Sequence, residues 1–344
     1  MTSTKISASR LRSVSLFLTI AFALLLTSCS KSDDGDDEYV GNWFRSYDFE
    51  GVARTEAVCF TIGNYAYIST GYKKDDERLS DLWLFDQSTG TWMQRADMPA
   101  AGRNSAVAFS IGNKGYVGTG YDGSNYLKDF WEYNVDSNKW TRKADFGGGG
   151  RYGAVAFAIN GKGYIGTGYN DNYLKDLWEY NPSSNQWTQK ASLAGTKRMD
   201  AVAFVVNDKA YVGTGINNGS YPDDLWMYDA STNGWTQKRR ISNISDDEYD
   251  DDYIIQRSNA SVFIIDGTAY LSNGEYNGIT PSTWAYDPTS DLWTQMTSFE
   301  GTARIGGIGF SLNNRGYITT GNSSSARFDD MWEFAPYAEQ VDND

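Results

Sequence analysis

Short apolar or alternating stretches separated by polar turn residues recur along the chain from about residue 50 onward. In one unit they cover 154–159, 163–167, 177–180 and 186–189, with Gly, Asn, Pro or Ser between them. Runs of four to six such residues, bounded by turn residues, are typical of β-strands. Beyond residue 40 no long pattern with a period of 3.6 residues occurs. The sequence therefore predicts four short strands per unit and very few helices.

Six units of this kind follow one another, and tryptophans mark two positions in them. Six tryptophans occupy the first position, and five follow nine residues later. The twelfth, Trp43, precedes the first unit, where it takes the place that the last unit lacks. A single sheet of four short strands buries too little surface to be stable, whereas six sheets arranged radially bury both faces of each. We therefore expect an all-β, six-bladed β-propeller that is closed by an N-terminal strand carrying Trp43.

Several repeated features resemble the kelch family over residues 40–336. The second strand of each unit ends in Gly, a Trp follows seven residues after a conspicuous Tyr, and an Arg precedes the next unit. The resemblance implies a kelch-type propeller. One departure is that the usual Gly-Gly pair is replaced by Thr-Gly or Asn-Gly, as in Thr119-Gly120. The glycine that is kept is expected to have positive φ.

The N-terminal region has the layout of an export signal. Basic residues precede a short apolar run over 13–26, and Leu26-Thr27-Ser28-Cys29 resembles the bacterial lipobox. The resemblance implies that residues 1–28 are removed as a signal peptide and that Cys29 is lipidated. Residues 29–39 form an acidic tether that is similar to the surface-export signal of Bacteroidetes lipoproteins, and a plain solvated spacer is the alternative. We expect a lipid-anchored protein of the bacterial outer membrane, with a propeller over 40–336 and a tail over 337–344.

Charge and composition exclude several functions. The formal net charge is −14, and such a surface repels phosphate backbones, so no nucleic acid partner is expected. Histidine is absent, which removes the usual general base and the usual ligand of transition metals. Cys59 lies in an apolar strand pattern and is interpreted as core packing.

Tyrosines follow the strand-end glycine in the first three units. Because the connections that follow the second and fourth strands share one face of a propeller, Tyr72, Tyr121 and Tyr169 are expected on that face. Their rings would stack on sugars, with the hydroxyls as polar contacts. Packing between blades is the alternative interpretation.

An arginine stands before the first strand of every unit. A feature repeated six times indicates a structural role in each blade. In the kelch family this position lies near the mouth of the central channel, which implies the alternative that some of these residues bind acidic partners. The six arginines are Arg54, Arg103, Arg151, Arg198, Arg257 and Arg304. An Asp two residues before the first Trp is interpreted as accepting backbone N–H bonds, and the fifth unit has Ser282 there.

The connection between the fourth and fifth units is about 12 residues longer than the others. Long loops on a rigid scaffold often carry function, so residues 241–256 and Glu275, which is expected on the same face, form the preferred candidate site. Carboxylates in this loop are possible Ca²⁺ ligands, with a solvated acidic loop as the alternative. They are Asp246, Asp247, Glu248, Asp250, Asp251 and Asp252. No other cofactor is expected.

These features favour a binding module for a glycan, peptide or partner protein over an enzyme. Some kelch proteins are galactose oxidases, but their copper site requires histidine, which this chain lacks. An enzyme alternative is a sugar mutarotase or epimerase similar to the sialic acid mutarotases, with Glu275 and either Arg257 or Arg304 in proton transfer. A structural subunit of an envelope complex is a third possibility. Fold alone does not decide among them.

Overall fold

The computed structural model describes residues 40–341, which form six antiparallel sheets of four strands and one short hairpin. The first strand of each sheet packs against the first strands of its two neighbours, and contact between β2 and β22 completes the circle. Two 3₁₀ turns, Lys74–Asp76 and Glu248–Asp250, are the helical segments of this part of the chain. The strands are β1 (Asn42–Arg45), β2 (Val58–Ile62), β3 (Tyr65–Ser69), β4 (Leu82–Asp86), β5 (Thr91–Arg95), β6 (Val107–Ile111), β7 (Lys114–Gly118), β8 (Phe130–Asn134), β9 (Lys139–Arg142), β10 (Val155–Ile159), β11 (Lys162–Gly166), β12 (Leu177–Asn181), β13 (Gln186–Lys190), β14 (Val202–Val206), β15 (Lys209–Gly213), β16 (Leu225–Asp229), β17 (Gly234–Gln237), β18 (Ser261–Ile265), β19 (Thr268–Ser272), β20 (Thr283–Asp287), β21 (Leu292–Met296), β22 (Ile308–Leu312), β23 (Arg315–Thr319), β24 (Asn322–Ser323), β25 (Ala326–Arg327) and β26 (Met331–Ala335).

Blades 1 to 5 are consecutive four-stranded meanders that begin at β2, β6, β10, β14 and β18. In blade 3 the strands lie within one residue of the predicted stretches. Alternation along β10 buries Val155, Phe157 and Ile159 against neighbouring blades, while the intervening alanines are half-buried. The alanines pack against the core cluster of blades 2 and 3, so the period of two residues directs alternate side chains of the strand to the two neighbouring blades.

Blade 6 is completed by the N-terminal strand, as the sequence predicted. Its order is β1-β26-β23-β22, and β1 pairs antiparallel with β26, with Trp43 opposite Phe334. The Trp43 side chain is fully buried, and its ring meets those of Phe263, Phe299 and Phe334 at centroid distances of 5.8, 5.0 and 4.7 Å. The six-bladed, all-β architecture and its closure by β1 are confirmed.

A buried arginine, an aspartate and a tryptophan form the same polar assembly in five blades. In blade 2 the Arg103 Nη1 and Nη2 atoms donate to both carboxylate oxygens of Asp129 at 2.7 and 2.8 Å, and Arg103 Nη1 also donates to the carbonyl of Thr119. The Trp131 Nε1 atom donates to the same carboxylate at 2.7 Å. These aspartates therefore bind buried arginine and tryptophan side chains, which the sequence did not predict, and Asp224 also accepts the predicted kind of hydrogen bond, from the backbone N–H of Thr196 at 3.4 Å.

Blade 5 lacks the aspartate, as the sequence indicated. Arg257 there donates to the Ser282 hydroxyl and to carbonyls that include those of Ile254 and Ile255. The indole N–H of the buried Trp284 has no acceptor within the described residues. Burial without a carboxylate lowers the pKa of Arg257 to about 10. This blade therefore holds a buried guanidinium by carbonyl and hydroxyl groups alone.

The Thr-Gly pair at the end of the second strand of a blade binds the repeated arginine through the carbonyl of its Thr. Gly120 has φ +101°, as predicted, and Thr119 before it is also left-handed at +58°. A Cβ atom on Gly120 would lie 2.9 Å from the carbonyl oxygen of Asn104. The second position therefore requires glycine, while the first tolerates Thr because Arg103 binds its carbonyl.

The predicted signal peptide, the lipidated Cys29 and the acidic tether lie outside the described residues. Among residues 40–341, no helix is long and apolar enough to cross a membrane.

Candidate functional site at the channel mouth

One face of the propeller carries the connections that follow the second and fourth strands of each blade. Isolated bridges join these connections, for example between Tyr152 and Tyr169 and between Thr55 and Tyr72. The structure therefore places Tyr72, Tyr121 and Tyr169 on one face, which we call the loop face. Glu275 lies on this face too, bridged to Ser258.

Five tyrosines of blades 2 and 3 form a continuous cluster on the loop face. Neighbouring rings lie 5.1 to 6.3 Å apart between centroids, and all five side chains are half-buried. The Tyr126 hydroxyl donates to Asp171 at 2.9 Å, and that of Tyr121 donates to the carbonyl of Gly123 at 2.8 Å. The members of this tyrosine cluster are Tyr121, Tyr126, Tyr152, Tyr169 and Tyr173.

Tyr72 lies apart from the tyrosine cluster. The guanidinium carbons of Arg78 and Arg327 lie 5.8 and 4.9 Å from its ring centroid. Arg78 also lies 5.1 Å from the ring centroid of Tyr121 and so joins Tyr72 to the cluster. The predicted half-ring of tyrosines is therefore divided. Tyr121 and Tyr169 belong to the tyrosine cluster, whereas Tyr72 lies against two guanidinium groups.

Six residues, one from each blade, surround the mouth of the central channel. Each lies two positions after the repeated arginine and has positive φ, between 48° and 61°. Each backbone N–H donates to the carbonyl of the equivalent residue in the adjacent blade at 2.8 to 3.1 Å, which gives a closed circle of six hydrogen bonds. The members of this mouth ring are Glu56, Ser105, Gly153, Asp200, Asn259 and Gly306. Because the backbone is the same in every blade, the side chains alone differ.

Two carboxylates, from blades 1 and 4, project from the mouth ring. Glu56 accepts hydrogen bonds from Asn104 Nδ2 at 2.6 Å and from the Ser105 hydroxyl. Burial and the charge of Glu56 raise the pKa of Asp200 to about 7, although a hydrogen bond from Asn259 opposes the rise. In the described part of the chain, neither carboxylate is in an ion pair. The mouth therefore combines a carboxyl group that titrates near neutral pH with a second carboxylate that accepts hydrogen bonds from Asn104 and Ser105.

Tyr152 connects the tyrosine cluster to the mouth ring. It directly precedes Gly153, and a Cβ atom on Gly153 would lie 2.5 Å from Asp200 Oδ1. Burial and the nearby Asp200 raise the pKa of Tyr152 to about 12, so its hydroxyl stays protonated at neutral pH. An aromatic surface and an acidic concavity are thus adjacent.

The mouth ring opens into a cavity of about 170 Å³, which continues into a channel lined by small residues. Ala57, Ala106 and Ala154 belong to this wall. Cys59 packs beside an inter-blade core cluster, as expected, and also lines the channel. Burial raises the pKa of its thiol, which makes it a poor nucleophile.

The long connection of blades 4 and 5 folds back on the protein. Ile241 donates its N–H to the carbonyl of Asp223 just as Phe146 does to that of Lys128, so the additional residues follow Ile241. Ile241, Tyr253 and Ile255 are buried in an inter-blade cluster with Trp284. Much of the segment therefore packs against the blades and does not form a free loop.

The proposed calcium ligands do not converge. Asp250 is buried and accepts hydrogen bonds from the Ser245 hydroxyl and from two backbone N–H groups, whereas the other five carboxylate residues are exposed. Over residues 40–341, no group of three or more Cys, Asp or Glu side chains is arranged to hold a metal ion. The loop therefore offers no assembled cation site.

The arginines predicted as alternative ligand-binding residues are inaccessible. Arg54, Arg103, Arg151 and Arg198 are at most 1% exposed and are paired with aspartates inside their blades, which corrects that alternative and supports the structural interpretation. Arg304 is paired with Asp330 in the same way, and Arg257 is held by carbonyls. Glu275 lies instead beside Tyr221, whose pKa is raised by burial and by this carboxylate. The acid–base group of Glu275 with Arg257 or Arg304 is therefore not assembled.

Sequence reasoning missed the mouth ring and three members of the tyrosine cluster. A signal was present, because the residues two positions after the repeated arginine differ in every repeat except for two glycines. Tyr152 is likewise the one aromatic residue among the six that directly follow those arginines. Side chains that vary at a position of fixed backbone geometry are therefore the signal by which sequence analysis could have singled out this ring.

Six four-stranded blades around a central channel, with connections that differ from blade to blade on one face, define a six-bladed β-propeller. The model of the KLHDC2/KLHL20/DRC7 Kelch-repeats domain matches residues 48–198 and 150–305, so the chain belongs to the kelch-repeat family. No curated protein matches it. A solved structure titled "Structure of YjhT" matches with a TM-score of 0.70 and 16% identity, and it covers 83% of this chain and 95% of that chain. At that identity the likeness shows the fold.

Proposed function

We propose that this protein is a binding module whose loop face accommodates a glycan. The observation that carries the proposal is the contact between the tyrosine cluster and the acidic mouth ring through Tyr152. Tyrosine rings offer flat apolar surfaces for the C–H faces of sugars, and carboxylate, amide and hydroxyl groups accept or donate to sugar hydroxyls. A concave site with few polar groups beside aromatic rings is the usual form of a small-ligand site.

The proposal includes an envelope location. If Cys29 is lipidated, the acidic segment 29–39 tethers the propeller to a membrane, and glycans of the cell envelope or of the surroundings are the candidate ligands. The net negative charge of the chain disfavours a polyanion such as nucleic acid as the ligand.

Glycan binding is expected to weaken at least tenfold in a Tyr126→Ala/Tyr169→Ala variant, because two rings of the stacking surface are removed. Binding is measured on a glycan array and then by calorimetry with the best ligand. Tyr65, which is 39% exposed at the start of β3 on the opposite face, provides the matched control. Equal loss in Tyr65→Ala, or wild-type protein that binds no glycan, would contradict the proposal.

A second candidate function is interconversion of the anomers of a reducing sugar, which the Asp200 carboxyl group favours. Opening the sugar ring requires a base to take the proton from the anomeric hydroxyl and an acid to give a proton to the ring oxygen as the C1–O5 bond breaks. Asp200, with its pKa raised to about 7, fits the acid, and Glu56 fits the base. Reclosure reverses both proton transfers. This pair replaces Glu275 and the buried arginines as the candidate residues.

The anomer interconversion rate is expected to fall about 100-fold or more in Asp200→Asn, while glycan affinity is retained. The rate, followed by polarimetry, is expected to decline as the pH rises through about 7, because the acid then loses its proton. An Asp208→Asn variant, altered at an exposed residue of the β14–β15 turn on the opposite face, serves as the control. Wild-type protein that does not accelerate the reaction refutes this candidate and leaves the binding function intact.

A further inference from the structure

Two cationic side chains from different blades meet at Tyr72 on the loop face. Arg78 belongs to the connection after β3 in blade 1, and Arg327 belongs to the β24–β25 hairpin of blade 6. Both side chains are half-buried, and both guanidinium groups lie against the Tyr72 ring, at 5.8 and 4.9 Å from its centroid. The arrangement is a rigid aromatic ring flanked by two positive charges.

These two guanidinium groups have unused hydrogen-bond donors. Arg78 donates through Nε to Asn104 Oδ1 at 2.7 Å and through Nη1 to the carbonyl of Asp76 at 3.0 Å, and its Nη2 has no acceptor within residues 40–341. Arg327 donates no side-chain hydrogen bond in that part of the chain, and its Nε is buried without a partner. By contrast, each of the six repeated arginines donates to carbonyls, and five also bind a carboxylate.

The unused donors are notable because carboxylates are abundant in this chain and lie near. Burial and the charges of Glu56 and Asp76 raise the pKa of Tyr72, and those of Arg327 and Arg78 lower it. Yet in the described structure neither Arg78 nor Arg327 is in an ion pair, and Glu56 is held by Asn104 and Ser105. Half-buried guanidinium groups with free N–H donors are suited to bind a carboxylate or sulfate, in which two oxygens accept from one planar fork.

We propose that Arg78, Arg327 and Tyr72 form a subsite for the anionic group, a carboxylate or a sulfate, of an acidic glycan. This inference rests on the proposed glycan-binding function and names the class of sugar. The tyrosine cluster packs on the neutral sugar rings, and Arg78, which contacts both Tyr72 and Tyr121, joins the two parts of the site.

The experiment compares ligands that differ only in charge. Oligogalacturonate is set against its methyl ester for the carboxylate, and sulfated against unsulfated galactan oligosaccharides for the sulfate. Wild-type protein is expected to bind the charged member of one pair at least tenfold more tightly, with a preference that declines as salt is added. The pair that shows the preference identifies the anionic group.

Arg327→Gln is expected to reduce that preference at least fivefold and to leave the affinity for the neutral member unchanged. Arg239→Gln is the matched control, because Arg239 lies 4.5 Å from the ring centroid of another tyrosine, Tyr249, outside the proposed subsite. Arg327→Lys keeps the positive charge but lacks the planar pair of N–H donors, so part of the preference for the charged ligand is expected to remain. A preference that survives Arg327→Gln, or that Arg239→Gln removes equally, overturns the inference.

The outcomes separate the inference from the proposed function. If the charged and neutral ligands of both pairs bind equally, the anionic subsite is contradicted and the proposed glycan binding is not. If no glycan binds, inorganic sulfate is titrated while the Tyr and Arg signals are followed by NMR. Saturable shifts that are lost in Arg78→Gln/Arg327→Gln support the anion subsite without the glycan, and shifts equal in both proteins overturn it.

Discussion

Asp129→Ala is expected to lower the free energy of unfolding by about 3–5 kcal/mol, since it leaves a buried charge without its partner. Arg103 is 0% exposed and would lose two hydrogen bonds to the carboxylate, at 2.7 and 2.8 Å. The Trp131 indole would lose its acceptor as well. Backbone carbonyls still bind the guanidinium, but they carry no net charge. Urea unfolding monitored by tryptophan fluorescence measures the loss.

The same ion pair is expected to make the protein sensitive to acid. Burial opposes ionisation of Asp129, but the hydrogen bonds from Arg103 and Trp131 and the Arg103 charge outweigh it, so the pKa of Asp129 is lowered. A carboxyl group with a lower pKa in the folded state adds stability above its unfolded pKa of about 3.9, and this stability is lost as the pH falls through the folded value. The variant should therefore lose less stability than the wild type on acidification.

Two further variants isolate the effect of burial. Asp145 forms an ion pair with Arg142, whose side chain is 58% exposed, and Asp145→Ala is expected to cost no more than about 1 kcal/mol. Ser282→Asp provides the reverse change, because it supplies a carboxylate to Arg257 and an acceptor to the unpaired Trp284 indole. It is expected to add about 1–3 kcal/mol. If Asp129→Ala and Asp145→Ala unfold at the same urea concentration, the pair does not have the assigned role.

The fold could be predicted because its determinants are repeated. Trp131 and Trp178 occupy equivalent places, and each blade contacts only its neighbours, so six copies of one pattern specify six copies of one structure. Trp43 was informative for the same reason. It precedes the first repeat, and only a circular arrangement of blades places it at the second Trp position of the last repeat.

The candidate site could not be predicted in this way, because it depends on differences between blades. Glu56 and Asp200 share the mouth only because the ring places equivalent residues of blades 1 and 4 around one opening. The packing of residues 241–256 was not foreseen, since apolar residues such as Ile241 and Ile255 bury the ends of the segment. Loop length predicted an insertion correctly and did not reveal how it packs.

Trp43→Ala is expected to cost about 3–5 kcal/mol, the range found when a large aromatic side chain is removed from a core. The ring is 0% exposed among Phe263, Phe299 and Phe334, and its Nε1 donates to the carbonyl of Thr297 at 3.2 Å. Its loss also weakens β1, which closes the circle by pairing with β26. Hydrogen exchange in β1 and β26 is therefore expected to accelerate before that in blades 2 and 3.

Trp140→Ala separates closure of the ring from simple loss of an indole. Trp140 holds the equivalent place in the last strand of blade 2, is half-buried, and donates to the carbonyl of Ala96 at 2.7 Å. Its strand follows directly after the other three strands of blade 2 in the chain. By contrast, β1 precedes blade 1 in the chain and pairs with the strands of blade 6. Removal of Trp140 is therefore expected to accelerate exchange only within blades 1 and 2. Equal losses of stability and the same pattern of exchange in both variants would show that β1 is one more edge strand and does not close the propeller.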